Sequence, residues 1–211
     1  SHTKNSSLLG DFVARGEQLR LTINGRYVYS YQDGELSAKN TRALIKMDFF
    51  ITKRFFWFAA SFFEKDQFQD LNLRTALSSG PGYSFIEKGD YQSPWLKDIT
   101  LYAESGLAYF NEDFKNDKDQ KSARARLAVR LNWPILDDRV TFYHNQEFYP
   151  ESTKNYYLTM DNGVRFKLFA GFVSNIQMTS RYNSEPTTDT EKTDNLYLLT
   201  LGYNFDTTRK R

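Results

Sequence analysis

Two histidines, His2 and His144, are the whole imidazole supply of this chain, and cysteine is absent. Zinc-type sites need three or four converging ligands, so no metal site and no cofactor site is expected. His144, with Asn145 beside it, could polarise a serine for ester hydrolysis. That chemistry requires a serine within hydrogen-bond reach of the ring, and no local motif selects one. The carboxylates Glu64, Asp66, Glu104, Glu112, Glu147 and Asp161 could form acid–base pairs. They alternate instead with arginines in segments of a common pattern, where charge pairing is the simpler role. The expectation is no catalytic residue and no enzyme.

The elements that carry these charges show a period of two. In residues 17 to 31 the odd positions include Leu19, Leu21, Ile23, Tyr27, Tyr29 and Tyr31, whereas the even ones include Gln18, Arg20, Thr22, Asn24 and Arg26. That is a strand with one apolar and one polar face. The pattern recurs along the chain in segments longer than the five or six residues usual in soluble strands, which points to a transmembrane β-barrel. The 211 residues carry 26% charged side chains and no run of about eighteen apolar residues, so helical spans are excluded. A barrel passes that test because half of each strand faces the lumen. Aromatics make up 17% of the chain, with 14 Tyr and 18 Phe, and rings favour strands and membrane interfaces. With a net charge of +2 and no long run of like charges, no nucleic-acid partner is expected. No signal peptide stands at Ser1, which reads as a mature or trimmed start. Nothing divides the chain, so residues 1–211 are read as one domain.

Turn residues delimit eleven strands, near residues 5–14, 17–31, 36–51, 55–67, 70–87, 98–113, 120–133, 139–148, 155–168, 172–184 and 193–206. Their connections alternate between tight turns (Arg15-Gly16, Thr52 to Arg54, Pro134 to Asp138, Phe169 to Gly171) and longer polar loops. Barrels of this class have short periplasmic turns and longer external loops. The stretch from Glu87 to Lys97 breaks the rule, being long on the tight side. Because single-chain bacterial barrels have even strand numbers, the expected fold is an all-β, antiparallel up-and-down outer-membrane barrel of twelve strands, the first before or at Ser1; ten is the alternative.

Arginine decides which face is which. In residues 120–133 the apolar set Ala123, Ala125, Leu127, Val129, Leu131, Trp133 opposes Arg124, Arg126 and Arg130. At a bilayer midplane each lipid-facing Arg costs about 2–4 kcal/mol, so the arginines face inward. The same argument assigns Arg20, Arg26, Arg42, Lys46, Arg74, Glu104, Asp161, Arg165, Lys167 and Arg181 to the lumen. Two segments resist assignment: 55–63 is apolar on both faces and 140–149 polar on both. Tyr29, Tyr31, Phe49, Trp57, Trp133, Phe172, Tyr182, Tyr203 and Phe205 are read as membrane-interface aromatics. Phe50, Phe55 and Phe56, beside the turn at 52–54, and Phe148 and Tyr149, at the other end, are grouped with them. Twelve strands fall between an eight-stranded barrel that side chains fill and an open sixteen-stranded porin. A narrow, Arg-lined, largely occluded lumen is therefore expected, in a non-catalytic structural or accessory envelope protein. The alternatives are a small-solute channel with weak anion preference and an outer-membrane lipid-modifying enzyme built on His144.

The run Leu199-Thr200-Leu201-Gly202-Tyr203-Asn204-Phe205 resembles the terminal signal that outer-membrane proteins present to their assembly machinery. Further segments, Ser1 to Ser6, Phe62 to Phe68, Gly80-Pro81-Gly82-Tyr83, Glu147 to Pro150 and Lys192 to Asp194, in that order resemble the salt-induced outer-membrane protein family typified by YdiY-like proteins. The resemblance implies a barrel in the outer membrane of a Gram-negative bacterium, with outer-membrane lipids, the assembly machinery and other envelope proteins as partners. It implies no reaction.

Overall fold

Backbones that alternate apolar and polar residues can pair on both edges while presenting two different faces. Eleven strands do so in the computed structural model, which describes residues 3–32, 35–67, 71–116, 118–150, 155–185 and 191–203. They are β1 (Thr3–Arg15), β2 (Leu19–Gln32), β3 (Glu35–Phe50), β4 (Phe55–Asp66), β5 (Leu71–Ile86), β6 (Thr100–Phe114), β7 (Gln120–Ile135), β8 (Val140–Pro150), β9 (Tyr156–Lys167), β10 (Phe172–Asn183) and β11 (Thr193–Tyr203). Each pairs antiparallel with its sequence neighbours in one meander. No helix of the described residues is long and apolar enough to cross a membrane.

The sheet curls until its inner faces meet. Arg26 of β2 donates to Thr179 Oγ1 of β10 at 3.1 Å, and Arg181 of β10 reaches Asp66 of β4 at 3.2 Å. The edge strands β1 and β11 come within 8 Å between Cα atoms and share no ladder among the described residues.

Two connections differ from the sequence expectation. Pro134 belongs to β7, where it pairs with Thr141; the turn follows it, made by Leu136, Asp137 and Asp138, all with positive φ. The long 87–99 segment is held down across neighbouring turns, which accounts for its length. Arg54 binds Phe85 O at 2.9 Å and both carboxylate oxygens of Asp90, while Trp133 Nε1 donates to Trp95 O at 2.7 Å.

The ambiguous segments acquire faces. On β4 the even residues point inward: Phe56 and Phe58 are fully buried, whereas Trp57 between them is 46% exposed. Phe50 and Phe56, expected at an interface girdle, pack inside with Leu44, Phe58, Ala60 and Tyr102. On β8 Thr141, Tyr143, Asn145, Glu147 and Tyr149 share the inner face. Tyr149, also expected at a girdle, is buried against Ala76, Ala108 and Phe110. Rings inside the curl thus fill space that the sequence reading gave mainly to charged side chains.

Small residues on β5 let strands and rings approach closely. A Cβ on Gly80 would stand 2.1 Å from Ser105 O and 2.5 Å from Gly106 Cα, and one on Gly82 would meet the Phe56 ring at 2.3 Å. The β5–β6 ladder is interrupted opposite Gly80 and Pro81, where proline offers no amide hydrogen. Gly80→Val should therefore cost about 3 kcal/mol through overpacking, read as a lowered urea midpoint of the refolded protein. Gly10→Ala, where nothing lies within 4 Å of the new methyl, should leave the midpoint unchanged.

Candidate functional site

The inward charges assemble into two tiers. The first lies toward the ends of the strands remote from the tight turns and centres on Glu64, 1% exposed. It accepts from Arg74 at 2.9 Å, faces Arg181 at 3.3 Å and Arg42 at 3.7 Å, and accepts from Asn40 at 3.2 Å. Arg74 turns its Nε to Glu112 at 2.7 Å, Glu112 takes Arg124 at 3.1 Å, and Arg181 bridges on to Asp66 at 3.2 Å. This tier links six strands, β3 to β7 and β10. The second lies nearer the tight turns. Arg20 holds Asp48 at 2.6 Å, and Lys46 joins Asp48 at 2.5 Å and also pairs with Glu104. Arg126 spans Glu104 at 2.8 Å and Glu147 at 3.0 Å; Arg130 pairs with Glu147, which also accepts from the Tyr149 hydroxyl at 2.7 Å.

Rings stand between the charges. Arg126 lies 4.7 Å from the Phe58 centroid, Arg42 4.8 Å from Phe62, Arg124 4.8 Å from Phe110 and Arg20 4.7 Å from Tyr102. A guanidinium is weakly hydrated and stacks on aromatic faces, so these rings solvate the cations where water cannot. A carboxylate buried with several such cations is favourable only when its remaining lone pairs are satisfied, and Glu64 and Glu147 meet that condition.

Beside these tiers the interior opens into a cavity of ≈ 390 Å³ lined from every strand of β1 to β10. The Tyr143 hydroxyl, 3.0 Å from both Asn175 Oδ1 and Gln177 Oε1, and Asp161, accepting from Thr179 at 2.6 Å and Gln177 at 3.2 Å, form part of its wall. Arg26, Arg42, Arg126, Arg130 and Arg165 border it.

All thirteen residues read from the sequence as lumen-lining stand on this inner face. Arg20, Arg42, Lys46, Arg74, Glu104, Arg124, Arg126, Arg130 and Arg181 join the two tiers, while Arg26, Asp161 and Arg165 line the cavity. Lys167, at the exposed turn end of β9, binds Asp138 at 3.0 Å. Tyr143 and the inward rings Phe56, Phe58 and Tyr149 were missed, because β4 and β8 lack the one-sided hydrophobicity that reveals a face. Of the interface aromatics, Phe49, Trp57 and Phe172 are exposed, and Tyr29, Trp133 and Tyr182 half-buried, on the outer face. The side chains of Tyr31 and Tyr203, and all of Phe205 and His2, lie outside the described residues. His144 projects outward and its Nδ1 lies 2.6 Å from Asn162 Oδ1; among the described residues no serine hydroxyl hydrogen-bonds to the ring. Among them, too, no three His, Asp or Glu side chains are grouped to hold a metal ion.

Comparison with known proteins adds a family and a fold. The model of a family described as "Protein of unknown function, DUF481" matches residues 1–205. No curated protein matches. Among solved structures, the NanC porin in a rhombohedral crystal form superposes with a TM-score of 0.60 at 7% identity, over 97% of this chain and 95% of that one. At that identity the likeness shows a porin-like β fold alone.

The Glu64 junction sets an energetic expectation. Glu64→Gln leaves Arg42, Arg74 and Arg181 around a neutral amide, and removing one partner of a buried ion pair costs about 3–5 kcal/mol. Denaturant unfolding of the variant should show that loss. Lys65→Gln, the exposed neighbour on the outer face, should change stability by less than about 0.5 kcal/mol.

Proposed function

We propose that this chain, which belongs to the DUF481 family, is an integral β-barrel of the outer membrane of a Gram-negative bacterium, a non-catalytic structural or accessory envelope component whose lumen is largely occluded. The observation that carries the membrane reading is an inverted distribution of polarity. Leu107 and Leu199 are 71% and 74% exposed, in a belt continued by Ile23, Ile45, Leu77 and Leu127. Arg126, Lys46, Asp48 and Glu64 are buried inside. Water-soluble monomers rarely expose contiguous apolar surface on this scale, whereas a barrel in lipid requires it. Outward rings cluster at both ends of the belt, Trp133 with Phe142 at 5.9 Å and Phe148, Tyr156 and Tyr182 in a chain at 5.7 and 5.4 Å. Such girdles suit the two bilayer interfaces.

Closure by twelve strands follows from parity. Eleven antiparallel strands leave β1 and β11 running parallel with unpaired edges, and a lipid-exposed open edge is untenable. One further antiparallel strand would satisfy both edges, which must then part beyond the 8 Å to which the two strands come. The order of motifs supports a place among the salt-induced, YdiY-like members, and β11 supports recognition by the assembly machinery. Occlusion is supported by the two ion-pair tiers and the buried rings, which fill much of the interior. The cationic cavity favours a second reading, a narrow anion-preferring channel. The lipid-modifying reading has its imidazole on the outer face but no serine bound to it.

Conductance separates the readings. Purified protein in planar bilayers should give a flat baseline; stable anion-selective steps that Arg126→Ala and Arg130→Ala alter would establish the channel. Closure has its own measurement. Amide exchange in the full-length protein in detergent should show protection on the outer edges of both β1 and β11, and rapid exchange along either edge would rule out a twelfth strand.

A further inference from the structure

The two ion-pair tiers account for most inward cations. Arg20, Arg74, Arg124, Arg126, Arg130 and Arg181 each have a carboxylate oxygen within 3.2 Å. Arg26 differs: it makes no ion pair among the described residues. Its one hydrogen bond goes to Thr179 Oγ1 at 3.1 Å, and its Nε and Nη2, both buried, have no partner. Asp161 in the cavity wall accepts instead from Thr179 and Gln177.

The strand register sharpens the problem. Arg26 stands directly opposite Arg42 across β2 and β3, on the same inner face, and like charges at such a position repel. Arg42 offers little relief, since among the described residues its one ion pair is the 3.7 Å contact with Glu64, a carboxylate shared with Arg74 and Arg181. Both guanidiniums border the ≈ 390 Å³ cavity, together with Arg165, whose nearest carboxylate, Asp11, is 3.9 Å away.

We propose that the cavity is a binding site for a small oxyanion, carboxylate or phosphate, held between Arg26 and Arg42. A planar guanidinium presents paired N–H donors that match two oxygens of either group. One such anion would supply the counter-charge that Arg26 lacks and cancel the repulsion across the β2–β3 pair. The site stands whether or not the lumen conducts, because it needs only entry to the cavity.

Isothermal titration of the full-chain protein in detergent, with inorganic phosphate and separately with acetate at constant ionic strength in chloride, tests it. Saturable binding of either probe at one site per chain is expected, weakened about tenfold or more by Arg26→Gln and by Arg42→Gln and unchanged by Lys65→Gln. In chloride alone, Arg26→Gln should unfold at the same temperature as the unsubstituted protein or higher, since it removes a repulsion. No saturable binding of either probe, binding that survives both substitutions, or a clear loss of stability in Arg26→Gln without oxyanion would each overturn the proposal.

Discussion

A charge enclosed by this sheet must find its opposite, and that requirement organises the molecule. Moving an ion out of water costs several kcal/mol, returned only by close, well-hydrogen-bonded partners. Glu64 shows the outcome: one carboxylate gathers Arg42, Arg74 and Arg181 from β3, β5 and β10. Salt-bridge reach is short, so these contacts fix how tightly the sheet curls as well as how its strands pair. The backbone ladder sets neighbours, and the ion pairs set what lies across from what.

Aromatic rings make the charged interior workable. Phe56 and Phe58 are enclosed completely, yet they stand beside Lys46, Arg20 and Arg126 rather than in an oily core of their own. A ring face attracts a cation electrostatically and excludes water, which strengthens the neighbouring ion pairs by lowering the local dielectric. Glycine 82 is part of the same arrangement, because only a residue without a side chain leaves room for the Phe56 ring. The result is an interior divided between two packed ion-pair tiers and a cavity bordered by arginines. The porin-like fold seen by superposition therefore says little about an open pore, since the same wall can enclose either.

Much of the fold was legible in the chain. The strands could be placed because a half-buried strand must alternate, and residues 120–133 alternate without a break. The direction of Arg124, Arg126 and Arg130 was legible for an energetic reason, the cost of presenting guanidinium to an apolar exterior. The method failed where that contrast vanishes. On β4 both faces are apolar because the inner one carries rings, and on β8 both are polar because His144 and Gln146 face outward. Proximity to a turn was equally misleading for Phe50, Phe56 and Tyr149, whose height along the strand says nothing of their face.

The sequence by itself determined strand periodicity, meander order and the burial of basic residues, because these follow from local alternation and from a desolvation cost that each residue carries alone. Only the tertiary structure decided the partners. Arg181 and Asp66 are separated by 115 positions and Arg26 and Thr179 by 153. No spacing rule connects such pairs, since their meeting depends on the accumulated curl of every strand between them. That is also why Arg26 stands out only in three dimensions: its lack of a counter-ion among the described residues is a property of the curled interior, and nothing in its neighbours along the chain records it.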